Sequence, residues 1–517
     1  MPVCREIRKL RASTYVGDNV VIWITAVQNE THVQFPDTNA IQGMKSECCE
    51  VGGLMTETGM GPIVNRWQGQ FHGQLITPNH DGYDASRRIW NGMIDRRPAL
   101  IARCTSVADV RAALKLARAE NLGISVRGGG HAVAGTAVRD GGLMIDLSLM
   151  KGLQVDPLSR EIVAGPGVLW GEFDNAAQAH QLATTGGQVS HTGIAGLTLG
   201  GGLGYLMGKH GAACDNLLSL DVVTADGETL TVSGEQNSDL FWAMRGAGAN
   251  FGVATSFRYR LHPLTGVLAG LLLHPRDRAG ELIPFYREFL ANTPDELDTT
   301  LGFLNSPDGA PLVGIIVVYA GATEEGERLL EPLRRFGPPV ADLIRPMAYT
   351  AAQRLVDDAV PIGHRYYWKS NFVPKLDSGF ADVIRGGADV MPSPRSMILV
   401  FEIKGAIQRV AKDAMAFDHR HENFEMSIIA QWTDSVHDTE NIRWARDVWT
   451  AAQPFVSPAV YANHLSADES RSRVQSAYGP EKYEKLAKLK AKYDPLNFFC
   501  QNHNIAPQST KPPAAES

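Results

Sequence analysis

No apolar run in this chain is long enough to cross a bilayer as a helix. The longest, such as Leu268–Leu273 and Leu312–Tyr319, stop far short of the roughly 20 residues a span needs. Positive charge is not in excess either. Lys and Arg number 49 against 56 Asp and Glu, the net charge is −7 and the sequence pI is near 6.1. That balance argues against nucleic acid or an anionic membrane as the main partner. Cysteine is scarce, with six in 517 residues. Apart from Cys48-Cys49 they show no metal-like spacing, so neither a metal site nor a disulfide scaffold is expected. Walker A, Gly-x-Ser-x-Gly and His-Glu-x-x-His are absent. Gly246-Ala247-Gly248-Ala249-Asn250-Phe251-Gly252 is the nearest approach to a Rossmann fingerprint. Its spacing is wrong and a strand pattern follows it, which disfavours a nicotinamide dinucleotide in that fold.

What remains is a long chain with 44% apolar and 20% charged residues. It can bury large cores and is expected to form two or more domains. Val20–Val27 is the apolar centre of an odd N-terminal stretch. Glu6 and Asp18 precede it and no clear cleavage site follows, so a cytoplasmic location is favoured over secretion. A poorly ordered extension, or a natural start at Met55 or Met60, stays open.

Regular patterning begins near Trp90. Thr105 or Ser106 can cap a helix over Val107–Ala119, and Gly123 stops it before a strand that leads to His131. Strands are expected at Leu143–Leu147 and Glu161–Gly165, and a helix at Trp170–His180. Leu220–Ala225, Asp226-Gly227 and Thr229–Val232 read as a hairpin, and Gly252–Leu261 as a further strand. Beyond Gly266, strands near Val267–Leu273, Thr300–Leu304, Leu312–Tyr319, Tyr366–Val373, Met397–Ile403 and Met426–Trp432 alternate with four helices. The order suggests one antiparallel sheet with helices on a single face, leaving the other free to roof something.

The segment that says most is Arg127-Gly128-Gly129-Gly130-His131, delivered by the strand Ile124-Ser125-Val126. Three glycines let backbone N–H groups converge on an anion without a Cβ in the way. A second such run is Gly200-Gly201-Gly202-Leu203-Gly204. Two phosphate-approach loops and one positioned histidine suggest a dinucleotide with a reactive ring, and flavin fits best.

Together with Gly193-Ile194-Ala195-Gly196, Asp215-Asn216 and Arg245–Gly252, these loops resemble the flavin domain of the vanillyl-alcohol-oxidase fold. Tyr493-Asp494-Pro495-Leu496-Asn497-Phe498-Phe499, with Asn502 and Asn504-Ile505-Ala506-Pro507, resembles the terminal motif of the berberine bridge enzymes. The run around Glu402, Gly405-Ala406, Arg409 and Ala416–Arg420 is similar to bacterial members. The resemblance covers roughly Trp90 to Pro507 and not the first sixty residues.

It implies an α+β protein. An FAD-binding domain of the PCMH type would span 61–265 (core from about 95), and a substrate domain with an antiparallel sheet backed by helices would span 266–458. A berberine-bridge-type segment, 459–507, would return to the flavin domain. Residues 1–60 are left as an uncertain extension and 508–517 as a disordered tail.

The resemblance also implies FAD held covalently through His131 only, from its ring nitrogen to the flavin 8α-methyl carbon. The position where doubly tethered members carry cysteine is Val189 here, and Cys214 reads as core. Gly128, Gly129, Gly130, Gly200, Gly201 and Gly202 would cradle the pyrophosphate. Arg127, Gly193, Gly196, Gly204, Gly252, Val253 and Asn502 lie in the matching segments. Asp146, Asp215 and Asn216 are candidates with an equal reading as turn residues.

On the catalytic side the chain departs from its relatives. The family often shows Tyr-x-Asn-Tyr where this chain has Tyr461-Ala462-Asn463-His464. An imidazole, with a pKa near 6.5, suits proton removal at neutral pH, which makes His464 a candidate base. A solvent-facing His464 with Tyr461 doing the work is the other reading. A carboxylate or amide of plant relatives falls at Ser427, so that base is missing. Glu402 and Lys369 are further candidates whose sheet face the pattern leaves open.

The implied activity is hydride transfer to flavin N5 from a C–H next to O or N of a small-molecule substrate. Dioxygen (O2) would reoxidise the flavin and give hydrogen peroxide. Thr192 stands where relatives carry Val or Leu, which keeps a dehydrogenase with another acceptor open. A flavin-holding protein without catalysis and an NADPH-dependent reductase are the rivals. Oligomeric state is left open.

Overall fold

The computed structural model describes residues 60–508. The N-terminal stretch before Met60, including the Val20–Val27 run, and the last nine residues lie outside it. Met60–Trp67 is a helix whose Met60, Ile63 and Trp67 join the first core.

That core lies on a four-stranded sheet of β1 (Gln74–Ile76), β2 (Leu100–Arg103), β3 (Ile124–Arg127) and β4 (Leu143–Asp146), in the order β1-β2-β4-β3. The helix Val107–Ala119 has the bounds its pattern suggests. Ser106 caps it by accepting from the Asp109 N–H, and the Asp109 side chain reaches back in a capping box. Val110, Ala113, Leu114 and Ala117 are its buried stripe.

A second sheet holds β5 (Leu153–Asp156), β6 (Glu161–Ala164), β8 (Leu217–Val223), β9 (Thr229–Ser233) and β10 (Val253–Arg260), ordered β5-β6-β10-β8-β9. The short β7 (Leu182–Ala183) pairs β11 (His262–Pro263). The expected Asp226-Gly227 turn joins β8 to β9, with Gly227 at φ +88° as the turn demands.

The third sheet has eight antiparallel strands: β12 (Val267–Pro275), β13 (Leu297–Asn305), β14 (Pro311–Tyr319), β15 (Ala341–Asp342), β16 (Arg345–Met347), β17 (Arg365–Val373), β18 (Met397–Glu402) and β19 (Phe424–Trp432). The order is β15-β12-β14-β13-β18-β19-β17, with β16 also on β12. Strand alternation divides its side chains between two faces. Tyr367, Ile398, Val400, Met426 and Ile428 pack into a core with the helices Ala279–Leu290, Ser378–Asp389 and Asp438–Ala452. Tyr366, Trp368, Met397 and Ile429 belong to a separate cluster with Trp90 and Val133 on the opposite face. The α+β architecture is as expected; the long helices back one face, but the short helix Tyr349–Ala352 packs on the other, against Val267, Ala269 and Val318.

One long element is absent from the sequence reading, the helix Gly479–Tyr493. Its buried positions include Lys482 and Lys490 beside Leu486 and Leu489, so lysines occupy places that an apolar stripe would mark. Lys490 is fully buried and its ammonium donates to Asp494 (2.7 Å), the Asn250 carbonyl (2.6 Å) and the Phe499 carbonyl (2.9 Å). Val460, Leu465, Val474, Leu486 and Ile505 join the core of the second sheet.

Candidate active site

A cavity of about 330 Å³ lies where the glycine loops, the C-terminal segment and the face of the third sheet turned away from its long helices converge. Among the described residues that line it there is no Asp, Glu, Lys or Arg. Whatever charge it accommodates must be met by backbone dipoles, histidines and hydroxyl or amide groups.

β3 ends at Arg127 and delivers Gly128, Gly129, Gly130 and His131 to one wall. A Cβ on Gly129 would sit 2.5 Å from the Gly193 nitrogen, and one on Gly128 would sit 2.9 Å from the Pro166 carbonyl oxygen. Two backbones therefore pass closer than any side chain allows. Gly193, Gly196, Gly200, Gly252, Val253 and Asn502 line the same cavity. Asn502 Nδ2 donates to the Ala249 carbonyl at 2.7 Å, while its Oδ1 is buried without a protein partner. Such a cradle of exposed backbone with a spare acceptor fits a dinucleotide.

The remaining cofactor candidates stand behind the wall. Gly201 (φ +124°) and Gly202 (φ +94°) shape the turn; their missing Cβ atoms leave room for the Phe417 ring and the Ala213 methyl. Gly204 is needed because a Cβ would fall 2.0 Å from the Gly186 carbonyl oxygen. Arg127 donates to the Ser86 carbonyl (2.6 Å). Asp146 sits between Arg103 (3.6 Å) and Arg127 (3.9 Å) and caps the Ser148 N–H. Asp215 is spent on Arg420 (2.7 Å) and the Ala212 N–H (2.8 Å). Asn216 donates to the His210 and Ala212 carbonyls and meets His262 at 2.7 Å. For these three the turn reading describes the contacts, because every strong polar valence is satisfied within the protein.

His131 is half-buried, with its ring stacked on Trp90 (centroids 4.4 Å, 19°), which stacks in turn on Tyr366 (3.8 Å, 18°). Its Nε2 lies 2.9 Å from His191 Nδ1. Burial, reinforced by His191, pushes its pKa down to about 3, so the imidazole is neutral at physiological pH. His503, also on the cavity wall, is lowered to about 4 by burial, against the pull of Glu469.

The four catalytic candidates separate cleanly. His464 and Tyr461 line the cavity; Glu402 and Lys369 do not. Glu402 lies on the helix side of β18, where it accepts from Thr299 Oγ1 (3.0 Å) and pairs with Lys404 (2.9 Å), while its neighbour Phe401 faces the cavity. Burial raises the Glu402 pKa. Lys369 is on the helix side of β17 with its ammonium on Glu469 (2.7 Å), and it is Trp368 that faces inward. Strand register decides both cases. Tyr461 presents its ring, but its hydroxyl accepts from the Gly202 N–H (2.9 Å) and Asn463 Nδ2 (2.7 Å). Burial holds that phenol well above the usual range, so it clamps the glycine loop and keeps its proton.

His464 is different. Its Nδ1 is 2.9 Å from Glu425 Oε1 and 3.0 Å from Ser427 Oγ, and the Ser427 hydroxyl donates to both Glu425 oxygens. Glu425 is fully buried on β19. The Trp368 and Tyr461 rings meet the imidazole edge-on at 5.1 and 4.8 Å. An Nδ1–H committed to a carboxylate leaves Nε2 as the acceptor nitrogen. Glu425 escaped the sequence reading, which looked two residues later at Ser427. The signal was there: residues 425 and 427 share a strand face.

Residues 98–233 match the FAD binding domain family and residues 460–506 the family described as berberine and berberine like. An FAD-linked oxidoreductase from Dictyostelium discoideum is 31% identical over 455 residues, covering 87% of this chain and 98% of that protein. This chain belongs to the berberine-bridge-enzyme-like FAD-linked oxidoreductases. The crystal structure of 6-hydroxy-D-nicotine oxidase from Arthrobacter nicotinovorans superposes with a TM-score of 0.78 at 30% identity, covering 85% of this chain and 98% of that one. Physcomitrella patens BBE-like 1 shares the fold, with a TM-score of 0.79 at 21% identity over 87% of this chain and all of that one. FAD is therefore the cofactor, and the berberine-bridge-like oxidoreductase takes a small-molecule substrate.

Proposed function

We propose that this protein oxidises an uncharged small molecule at a C–H bond next to oxygen or nitrogen, with His464 as the base. FAD, when bound, supplies the hydride acceptor. The chain's own residues supply the rest. His464 Nε2 removes the proton from the donor's O–H or N–H, and Glu425 holds the ring by its Nδ1–H and balances the imidazolium that forms. Trp368, Phe401 and Tyr461 exclude water around that ring and favour a flat or apolar donor. Among the described residues that line the cavity none is Asp, Glu, Lys or Arg, which speaks for a donor bound without a charged side-chain partner.

The observation that carries this reading is the 2.9 Å contact between His464 Nδ1 and buried Glu425. The test is anaerobic flavin reduction by a panel of alcohols, sugars, phenols and amines, with 6-hydroxynicotine included because a relative is named for it. His464→Ala should slow reduction by about 100-fold at pH 8. An unchanged rate reassigns the base, and no bleaching by any donor favours a flavin carrier.

We propose also that the flavin is tethered by His131 alone, since Val189 occupies the place of a second, cysteine tether. Cys104, Cys214 and Cys500 are all buried, and burial pushes the Cys214 thiol up to about 12. Dioxygen is proposed as the electron acceptor, to be read as hydrogen peroxide formed per turnover.

A further inference from the structure

Trp90 and Tyr366 line no part of the cavity, yet they continue the His131 ring outward. Tyr366 lies flat on Trp90, with centroids 3.8 Å apart and planes 18° from parallel. Packing by itself favours aromatic centroids about 4.5–7 Å apart, offset or edge-on. The half-buried His364 carries the stack on, 6.5 Å from Tyr366 and 27° from parallel. The backbone is laced along the same line. The Trp90 N–H donates to the Gly130 carbonyl (3.0 Å), the Gly363 N–H to the Trp90 carbonyl (2.9 Å) and the Gly92 N–H to the His364 carbonyl (2.7 Å). Asn91 accepts from the Tyr366 N–H (3.0 Å) and donates to the Val133 carbonyl (2.9 Å). At the outer end Ile362 is 66% exposed. The exposed guanidinium of Arg395 acts there on the His364 ring.

We infer that the stack of His131, Trp90, Tyr366 and His364 is an electron exit, which passes electrons singly from reduced flavin to an anionic one-electron oxidant at the surface beside Arg395. This rests on the tether reading above, which puts one edge of the flavin on His131, and it adds a second class of acceptor to dioxygen. Electronic coupling falls exponentially across empty gaps, and stacked rings joined by hydrogen bonds shorten every gap on this path. The Trp90 indole N–H donates to the Val360 carbonyl (3.0 Å) and the Tyr366 hydroxyl to the Pro361 carbonyl (2.6 Å). Neither group faces a base, so no proton leaves with the electron and the rings serve as bridges. Returning FADH2 to FAD releases two electrons and two protons. Two ferric complexes each take one electron and become ferrous, while the protons pass through the cavity to water. The positive charge of Arg395 favours an acceptor that carries negative charge.

The test uses ferricyanide, an anionic ferric complex, on purified holoprotein reduced under argon by titration with dithionite. No substrate is present, so the returning flavin absorbance reports electron transfer apart from catalysis. Tyr366→Leu should be reoxidised by ferricyanide about 10-fold more slowly than wild type, with its reoxidation by dioxygen unchanged. Tyr366→Phe, which keeps the ring, should match wild type. Arg395→Glu should also slow ferricyanide alone, and added salt should slow wild type but not this variant. A wild-type ferricyanide rate in Tyr366→Leu, equal slowing with both oxidants, or Tyr366→Phe as slow as Tyr366→Leu overturns the inference. Should Tyr366→Leu hold no flavin, Arg395→Glu decides, and an undiminished ferricyanide rate in it counts against the exit. Flavin washing free of denatured wild type would sink the tether reading itself, a different result.

Discussion

The two walls of the cavity are built on opposite principles. The flavin-side wall is backbone: Gly128, Gly129 and Gly193 bring main-chain atoms within distances that any Cβ would violate. The sheet-side wall is side chain: Trp368, Phe401 and the Glu425-held His464 stand on one face of a register-locked sheet. One wall selects by how near it lets a ligand come, the other by which functional groups it presents. Substitution should therefore affect them differently, the first through occupancy and the second through rate.

The sharpest way to break the contrast is His131→Ala. It should abolish gel-retained flavin fluorescence while noncovalent FAD still binds through the glycine wall. Next comes His464→Ala, with flavin reduction about 100-fold slower and flavin content unchanged. Glu425→Gln, which keeps the shape but removes the charge, should slow reduction about 10-fold; loss of flavin instead would blur the two walls. Lys369→Met should leave the reduction rate within about 2-fold of wild type. It should still lower thermal stability, because it leaves the Glu469 carboxylate with only the longer 3.4 Å contact to Arg473.

The smallest effect is on pH. His210 and His262 stack at 3.9 Å, and burial holds them at about 3 and about 4. The unfolded chain takes up protons at these rings near pH 6.5, whereas the folded chain does not until much lower pH. Stability should be full above about pH 6.5 and fall steadily as pH drops toward 4, read as a declining melting temperature.

Much of this was legible beforehand, for identifiable reasons. Val107–Ala119 has the bounds expected from its sequence pattern. The glycine runs before His131 and at Gly200 announced backbone chemistry, because few other uses call for three glycines in a row. What stayed hidden depended on partners distant in sequence. The faces taken by Glu402 and Lys369 follow from pairing with β13, β19 and the segment around Glu469. Glu425 was passed over because its role shows only through His464, which reaches it from 39 residues downstream. Lys482 and Lys490 disguised a helix by placing charge where its core side lies. His191 meets His131 only because loops sixty residues apart cross.

Tyr461, Asn463, His464 and Asn502 all come from the final stretch of the polypeptide, and Tyr461 bolts that stretch to the Gly202 backbone. The receptacle is therefore closed by a contact between residues 259 positions apart in sequence, so a chain in which that contact is broken should let its flavin go more readily.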